Sequence, residues 1–262
     1  MHKEVLRLVM LVQREKHKEK NMIRFAKRLV ELSFLTIIIA LGAGSAMAQT
    51  SDSGSINLQG TVSGFVEVRA GGAATVSTGG TITNNKAKGD RLDSPTTLTI
   101  DFGEVGPTNT NSFVTATVPL RLRSNVSYTL KAAAAAMTYG GGTPDAQSVT
   151  LADIGFGVTS ATRDSGGGVA PGTDTIAATA NGNPTANGSV NATSGRFVYN
   201  TGFSLGDYTT SSTILTGPRI MQAMVPTGNA NGLVVNTVFS VKPQFFTPGT
   251  FATSVTFTIS NP

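Results

Sequence analysis

The sequence contains no cysteine and no tryptophan, and its only histidines are His2 and His17. Both stand ahead of Ala48, so the long remainder of the chain lacks histidine too. Ser–His–Asp and Cys–His chemistry is excluded there for want of the base or the nucleophile. Zinc sites built from His and Cys are excluded for the same reason. No disulfide can staple the fold, so its stability has to come from burial, and residues 49–262 are long enough to build a core. Charge of one sign is missing as well. Residues 1–48 hold nine of the 20 Lys and Arg and four of the 15 Asp and Glu, which leaves 11 of each sign after Ala48. The net charge of +5 therefore belongs to the front of the chain. The remainder has none of the basic excess that phosphate backbones require, which excludes nucleic acid as a partner.

That front segment has the order of parts of a secretory signal. A basic stretch runs from Met22 through Arg24, Lys27 and Arg28. An apolar run follows over residues 32–43, shorter than the ~20 residues that a membrane-spanning helix takes. It ends on Ala46-Met-Ala48, the small-x-small pattern of a cleavage site, with Ala46 and Ala48 as the small residues. The expectation is a signal peptide over 22–48, cut after Ala48, and a mature part with no transmembrane segment. Residues 1–21 are crowded with charge, unlike a signal's short basic start. They are expected to be an N-terminal extension ahead of a true start at Met22.

After Ala48 the pattern has period two nearly everywhere, and no stretch shows helical periodicity over 11 residues. Ile56, Leu58, Gly60 and Val62 alternate with polar residues. Val114, Ala116, Val118, Leu120 and Leu122 form the clearest run, followed by Val126, Tyr128 and Leu130 after a short turn at Ser124-Asn125. These two runs predict a hairpin. Pro119 removes a ladder donor and is expected at an edge or a bulge. Val235, Thr237, Phe239 and Val241 alternate again, with Val238 an apolar residue on the outward side. After Thr247-Pro-Gly-Thr250 the chain closes on Phe251, Thr253, Val255, Phe257 and Ile259, which predicts a second hairpin. Many short strands with turn signals between them define the fold class: all-β, an immunoglobulin-like or related Greek-key β-sandwich over residues 49–262. Two segments, 70–94 and 160–195, are rich in Gly, Ala, Thr and Asn and read as long loops with weak strands at most. The second is the expected first site of proteolysis.

The segment Ile100-Asp-Phe-Gly-Glu-Val-Gly-Pro, with the Val114–Leu122 and Val126–Leu130 strands, resembles the spore coat U domain, the subunit type of archaic chaperone–usher pili. The end of the chain, from Val238 through Thr247-Pro-Gly-Thr-Phe to Ile259, resembles that family's closing strands. The two blocks cover about half of the mature chain. Two features depart from the family: members commonly carry cysteines, one near the position of Leu122, and they often end on an aromatic residue where this chain ends Ser260-Asn-Pro. The resemblance implies a surface role, with copies of itself and a periplasmic chaperone and usher as partners. It also implies that the strand carrying Ile56, Leu58, Gly60 and Val62 is donated to a neighbouring subunit. The other reading of the same residues makes this strand the domain's own first edge.

Candidate sites are few. Two carboxylates suffice for glycoside hydrolysis, so Asp101/Glu104, Asp145/Asp153 and Asp164/Asp174 are the pairs to weigh. All sit in turns or on strand faces and read as solvated acids. No aspartate array of the calcium-loop type exists. Arg121 and Arg123 share a strand face, with Lys131 expected nearby across the predicted hairpin; together they read as a solubilising face. Met221 and Met224 read as packing residues. No catalytic residue and no cofactor are called for. The expected function is that of an exported structural or adhesive protein of the periplasm, cell surface or medium, with a fibre subunit assembled by strand exchange as its sharpest form. The alternative is a secreted or periplasmic carbohydrate-binding module, although aromatic platforms are poor in a chain without tryptophan.

Overall fold

The computed structural model describes residues 51–55 (backbone alone), 66–77, 79–93, 95–106, 112–141, 143–165, 167–222 and 231–262. The cleavage residues Ala46 and Ala48 and the strand residues Ile56, Leu58, Gly60 and Val62 lie outside the described residues, as does Met224. The fold is all-β, and its main part is two antiparallel sheets sharing one core. One sheet has the order β1 (Ser51–Ser55), β16 (Val255–Ser260), β7 (Tyr128–Ala134), β13 (Ser212–Gly217) and β10 (Thr175–Ile176). The facing sheet has the order β2 (Val66–Ala70), β6 (Val114–Ser124), β14 (Leu233–Val241) and β9 (Ile154–Arg163), with β3 (Thr75–Val76) also paired to β6. Alternation builds the core as the period predicts. Val118, Leu120 and Leu122 of β6 are buried, and so are Tyr128, Leu130 and Ala132 of β7 and Val255, Phe257 and Ile259 of β16. Each of the Val, Leu, Ile and Phe side chains among them stabilises the fold by about 1.5–3 kcal/mol relative to exposure. The alanine run after Leu130 continues as strand to Ala134, because its neighbours β16 and β13 supply ladder partners.

Both predicted hairpins are corrected. β6 and β7 lie in opposite sheets, and so do β14 and β16. A strand with one apolar face can pair with its successor or face it across the core, and period two is the same in both cases. The connections decide. At Ser124 the side chain donates to the Val126 carbonyl and accepts from its N–H, while the Ser124 carbonyl takes the N–H groups of Ile220 and Met221, each at 2.8 Å. Those bonds carry the chain over the edge of one sheet into the other. Lys131 therefore sits opposite Thr213 and Thr258, away from the strand of Arg121 and Arg123. Pro119 is also corrected: it lies in the inner strand β6, opposite Asn236, and not at an edge. Its carbonyl accepts from Gly71, in the gap between β2 and β3, so its missing N–H falls where no ladder bond is made.

The two segments read as loops contain strands of both sheets, β3 in one and β10 in the other, and further parts of them lie against the β2–β6–β14–β9 sheet. In the first, β4 (Thr81–Thr83) pairs with β5 (Thr99–Asp101), and the Ala70 and Asp90 region is tied by Ala70 N–H to the Asp90 carbonyl and Gly89 N–H to the Ala70 carbonyl. Arg121 is buried beneath it, 4% exposed, and burial lowers its pKa against the pull of Glu67. The solubilising-face reading of Arg121 is thereby corrected. Glu67 instead joins Arg69 and Arg123 in a partly buried charge group. In the second, β11 (Gly188–Val190) pairs with β12 (Phe197–Tyr199), and Tyr199 donates to the Ser240 carbonyl at 3.0 Å. A Cβ on Gly157 would stand 2.2 Å from the Gly182 carbonyl oxygen, so glycine is what lets the segment lie on the sheet. Val238, the apolar outward residue, is covered there and buried. Met221 belongs to the core.

Candidate functional site

At one end of the sandwich β6, β9 and β16 begin and β7 and β14 finish. There the two sheets leave a cleft of about 870 Å³ between them. Its floor is the core itself, through Ile154, Phe239 and Val255. One wall is β5 and the chain after it to Gly106, with Ile100 and Phe102 packed against the core. The other is Phe246–Thr253, which contains β15 (Thr250–Ala252), together with Tyr139–Gly141 at the end of β8 (Thr138–Gly140). β15 pairs with β8, and β5 pairs with β4, and among the described residues neither has a second ladder partner. Two strands, each with one ladder partner, therefore stand in the walls of a slot with an apolar floor.

Short polar bonds shape the rim. Asp101 accepts from the Gly103 N–H at 2.8 Å, closing a turn in which Gly103 has φ +70°, the left-handed region. A Cβ there would overlap the Gly79 carbonyl oxygen. Tyr139 donates its hydroxyl to the Val149 carbonyl at 2.8 Å. Asp145 accepts from the Thr247 hydroxyl at 2.6 Å and the Gln147 N–H at 2.8 Å, and these bonds hold its carboxyl below the usual carboxylate range. Thr247 also donates its N–H to the Gln147 carbonyl. The Pro248-Gly249 turn is thus fastened to the 143–148 segment.

The carboxylates weighed from the sequence take different places. Asp101 and Glu104 both line the cleft, both exposed. Asp145 holds the Thr247 turn, whereas Asp153 accepts from Thr150 and from Arg196 at 2.8 Å. Asp164 takes Lys88 at 3.1 Å and the Gly232 N–H, whereas Asp174 turns a shielded side chain to Arg163 and Tyr128. Asp153 and Asp174 thus correct the expectation of solvated acids. Among the described residues no group of three His, Cys, Asp or Glu could hold a metal ion, and no helix is long and apolar enough to cross a membrane.

The lining contains no Lys or Arg. It offers backbone edges and an apolar floor. Tyr139, Val149 and Phe246 were not legible as site residues. Phe245-Phe246, an aromatic pair outside any alternation, was the available signal, and Phe245 is 85% exposed beside the cleft. No family model matches the chain, and no curated protein and no solved structure matches it.

Proposed function

We propose that the chain is an exported, non-catalytic structural or adhesive protein of the bacterial surface, a fibre subunit whose copies are joined by strand donation. The observation that carries this reading is the end cleft, a slot with an apolar floor and with β5 and β15 in its walls. Extended segments bind such slots by backbone bonds along an edge and by alternate side chains in the floor. The segment with Ile56, Leu58, Gly60 and Val62 has that alternation in sequence, and a fully extended chain of its length would span about 20 Å. Head-to-tail insertion into a second copy does not close on itself, so it propagates a fibre. The partners are further copies of the chain and, as the spore coat U resemblance implies, a periplasmic chaperone and usher. The signal-like segment ending at Ala48 supports export.

A carbohydrate-binding module is the second reading, favoured by Tyr139, Phe246 and Phe251 in the lining. The Tyr139 hydroxyl is already committed to Val149, which leaves that reading the weaker. Extracts of cells exporting the protein decide between them. The expected result is a ladder of multimers that dissociates on heating, and its loss in Leu58→Asp with export unchanged. Monomers alone from the unaltered protein overturn the fibre reading.

A further inference from the structure

Acid stands on both sides of the cleft. Among the described residues that line it, Asp101 and Glu104 alone carry charged side chains, and both are exposed at the rim. On the other wall, Asp145 accepts from the hydroxyls of Thr247 at 2.6 Å and Ser148 at 3.3 Å, and both of those residues belong to the lining. Arg196 lies over the ring of Phe246, 5.2 Å from its centre, but its charge is matched by Asp153 at 2.8 Å. The imbalance is local, because residues 49–262 carry 11 groups of each sign.

A segment that sets apolar side chains on the floor has to lie between these carboxylates. An uncharged segment leaves them without a counter-charge, and an acidic one is repelled. Complementary charge along a docking surface speeds encounter and rejects wrong partners. The chain's own alternating stretch is of the uncharged kind: from Ser53 to Val66 it has no Asp, Glu, Lys or Arg.

We infer that the cleft prefers, over uncharged strands such as its own, an extended segment of another protein in which apolar residues alternate with Lys or Arg. The backbone of such a segment pairs with β5 or β15, each of which has one ladder partner among the described residues. Its apolar side chains cover Ile154, Phe239 and Val255, and its basic side chains reach the rim on long flexible stems. The inference rests on the reading of the cleft as a strand slot and adds the kind of partner that competes with a second copy for it.

Three dye-labelled synthetic peptides test this on the full chain by fluorescence anisotropy. In them valine alternates with lysine, with threonine or with glutamate. An exposed ion pair changes affinity by up to about fivefold, so the two rim acids should favour the lysine peptide over the threonine peptide by about tenfold at low salt, with the glutamate peptide weakest. The preference should shrink as added salt screens the rim. Asp101→Asn with Glu104→Gln should remove the preference while the threonine peptide binds as before. Asparagine keeps an acceptor for the Gly103 N–H, so the rim turn is retained. If the double variant does not fold, Glu104→Gln alone should weaken the lysine peptide by about two- to fivefold. Equal binding of the three peptides, or a lysine preference that the rim variants leave intact, overturns the inference and leaves the strand slot standing. Binding of none of the three overturns the slot itself and the inference with it.

Discussion

Asp174 takes three donors on two oxygens: Tyr128 Oη at 2.7 Å, Arg163 Nε at 2.7 Å and Arg163 Nη2 at 2.8 Å. The guanidinium also donates to the carbonyls of Ala170, Pro218 and Arg219. The last residue of β9 thereby fastens two loops and the first residue of β7. The bidentate bonds to Asp174 raise the pKa of Arg163, and Asp174 is only 4% exposed at its side chain. Removing one partner of a buried pair strands the other, so Asp174→Ala should lower unfolding free energy by about 3 kcal/mol. Tyr128→Phe should cost about 1 kcal/mol, the net value of one hydrogen bond. Urea titration followed by circular dichroism measures both, and equal stabilities for all three proteins would show that the cluster carries no energy. This pair was not legible in the sequence. Asp174 sits in a glycine-rich stretch like any solvated acid, and its partner is on a strand end with no fixed spacing to announce it.

Three tyrosines add a pH dependence at the same scale. Burial raises the pKa of Tyr128, Tyr199 and Tyr208, the last from 10.0 to about 12. The folded state keeps protons that the unfolded chain gives up above about pH 10, so their stabilisation is whole below that pH and is lost as pH rises through the folded values. Thermal melts should fall steadily above pH 10, and tyrosinate absorbance should appear together with loss of strand signal. Ionisation of Tyr128, Tyr199 and Tyr208 in a chain that stays folded would refute this.

At the scale of elements, strand existence was legible and strand partnership was not. β6, β7, β14 and β16 stand close to the runs marked by alternation, because burying one face imposes period two whatever the neighbour. Whether the next strand pairs or crosses over depends on distant bonds, such as those from Ile220 and Met221 to Ser124, which no local pattern encodes. The 160–195 segment shows the same limit. Its small polar residues read as a loop, yet they are held by contacts with glycines of β9 that alternation treats as gaps. Gly157→Val should therefore lift the segment around Gly182 and Pro184. The expected cost is about 1–3 kcal/mol, with new protease cuts between residues 180 and 200. An unchanged melt and an unchanged digestion pattern would mean the segment does not depend on this approach. The cleft was half legible: Phe251, Thr253 and Val255 appear in the closing alternation, but Val149 and Tyr139 reach it from elements far away in sequence.

At the scale of the molecule, the first strand described pairs with the last. β16 lies between β1 and β7 and places Phe257 and Ile259 in the core, while β15 forms a wall of the cleft. β6 and β14 likewise join residues more than a hundred positions apart. Closing such long loops costs entropy before any contact repays it, so folding should be slow, in the millisecond-to-second range of all-β domains. The two ends of the described chain are not equivalent in this scheme. β1 is an edge strand with one neighbour, whereas β16 has two. A chain stopped after Thr253 loses both ladders of β16 and its buried side chains, and should populate no cooperative fold. A chain lacking residues 49–62 loses the edge strand β1 and should keep the core, and a synthetic peptide of residues 55–63 should bind its cleft. Circular dichroism melts of the two truncations, with peptide titration of the second, check this. A cooperative melt for the chain stopped after Thr253 would show that the core closes without its last strand, and a second truncation that melts cooperatively yet ignores the peptide would show that the cleft has no use for this segment.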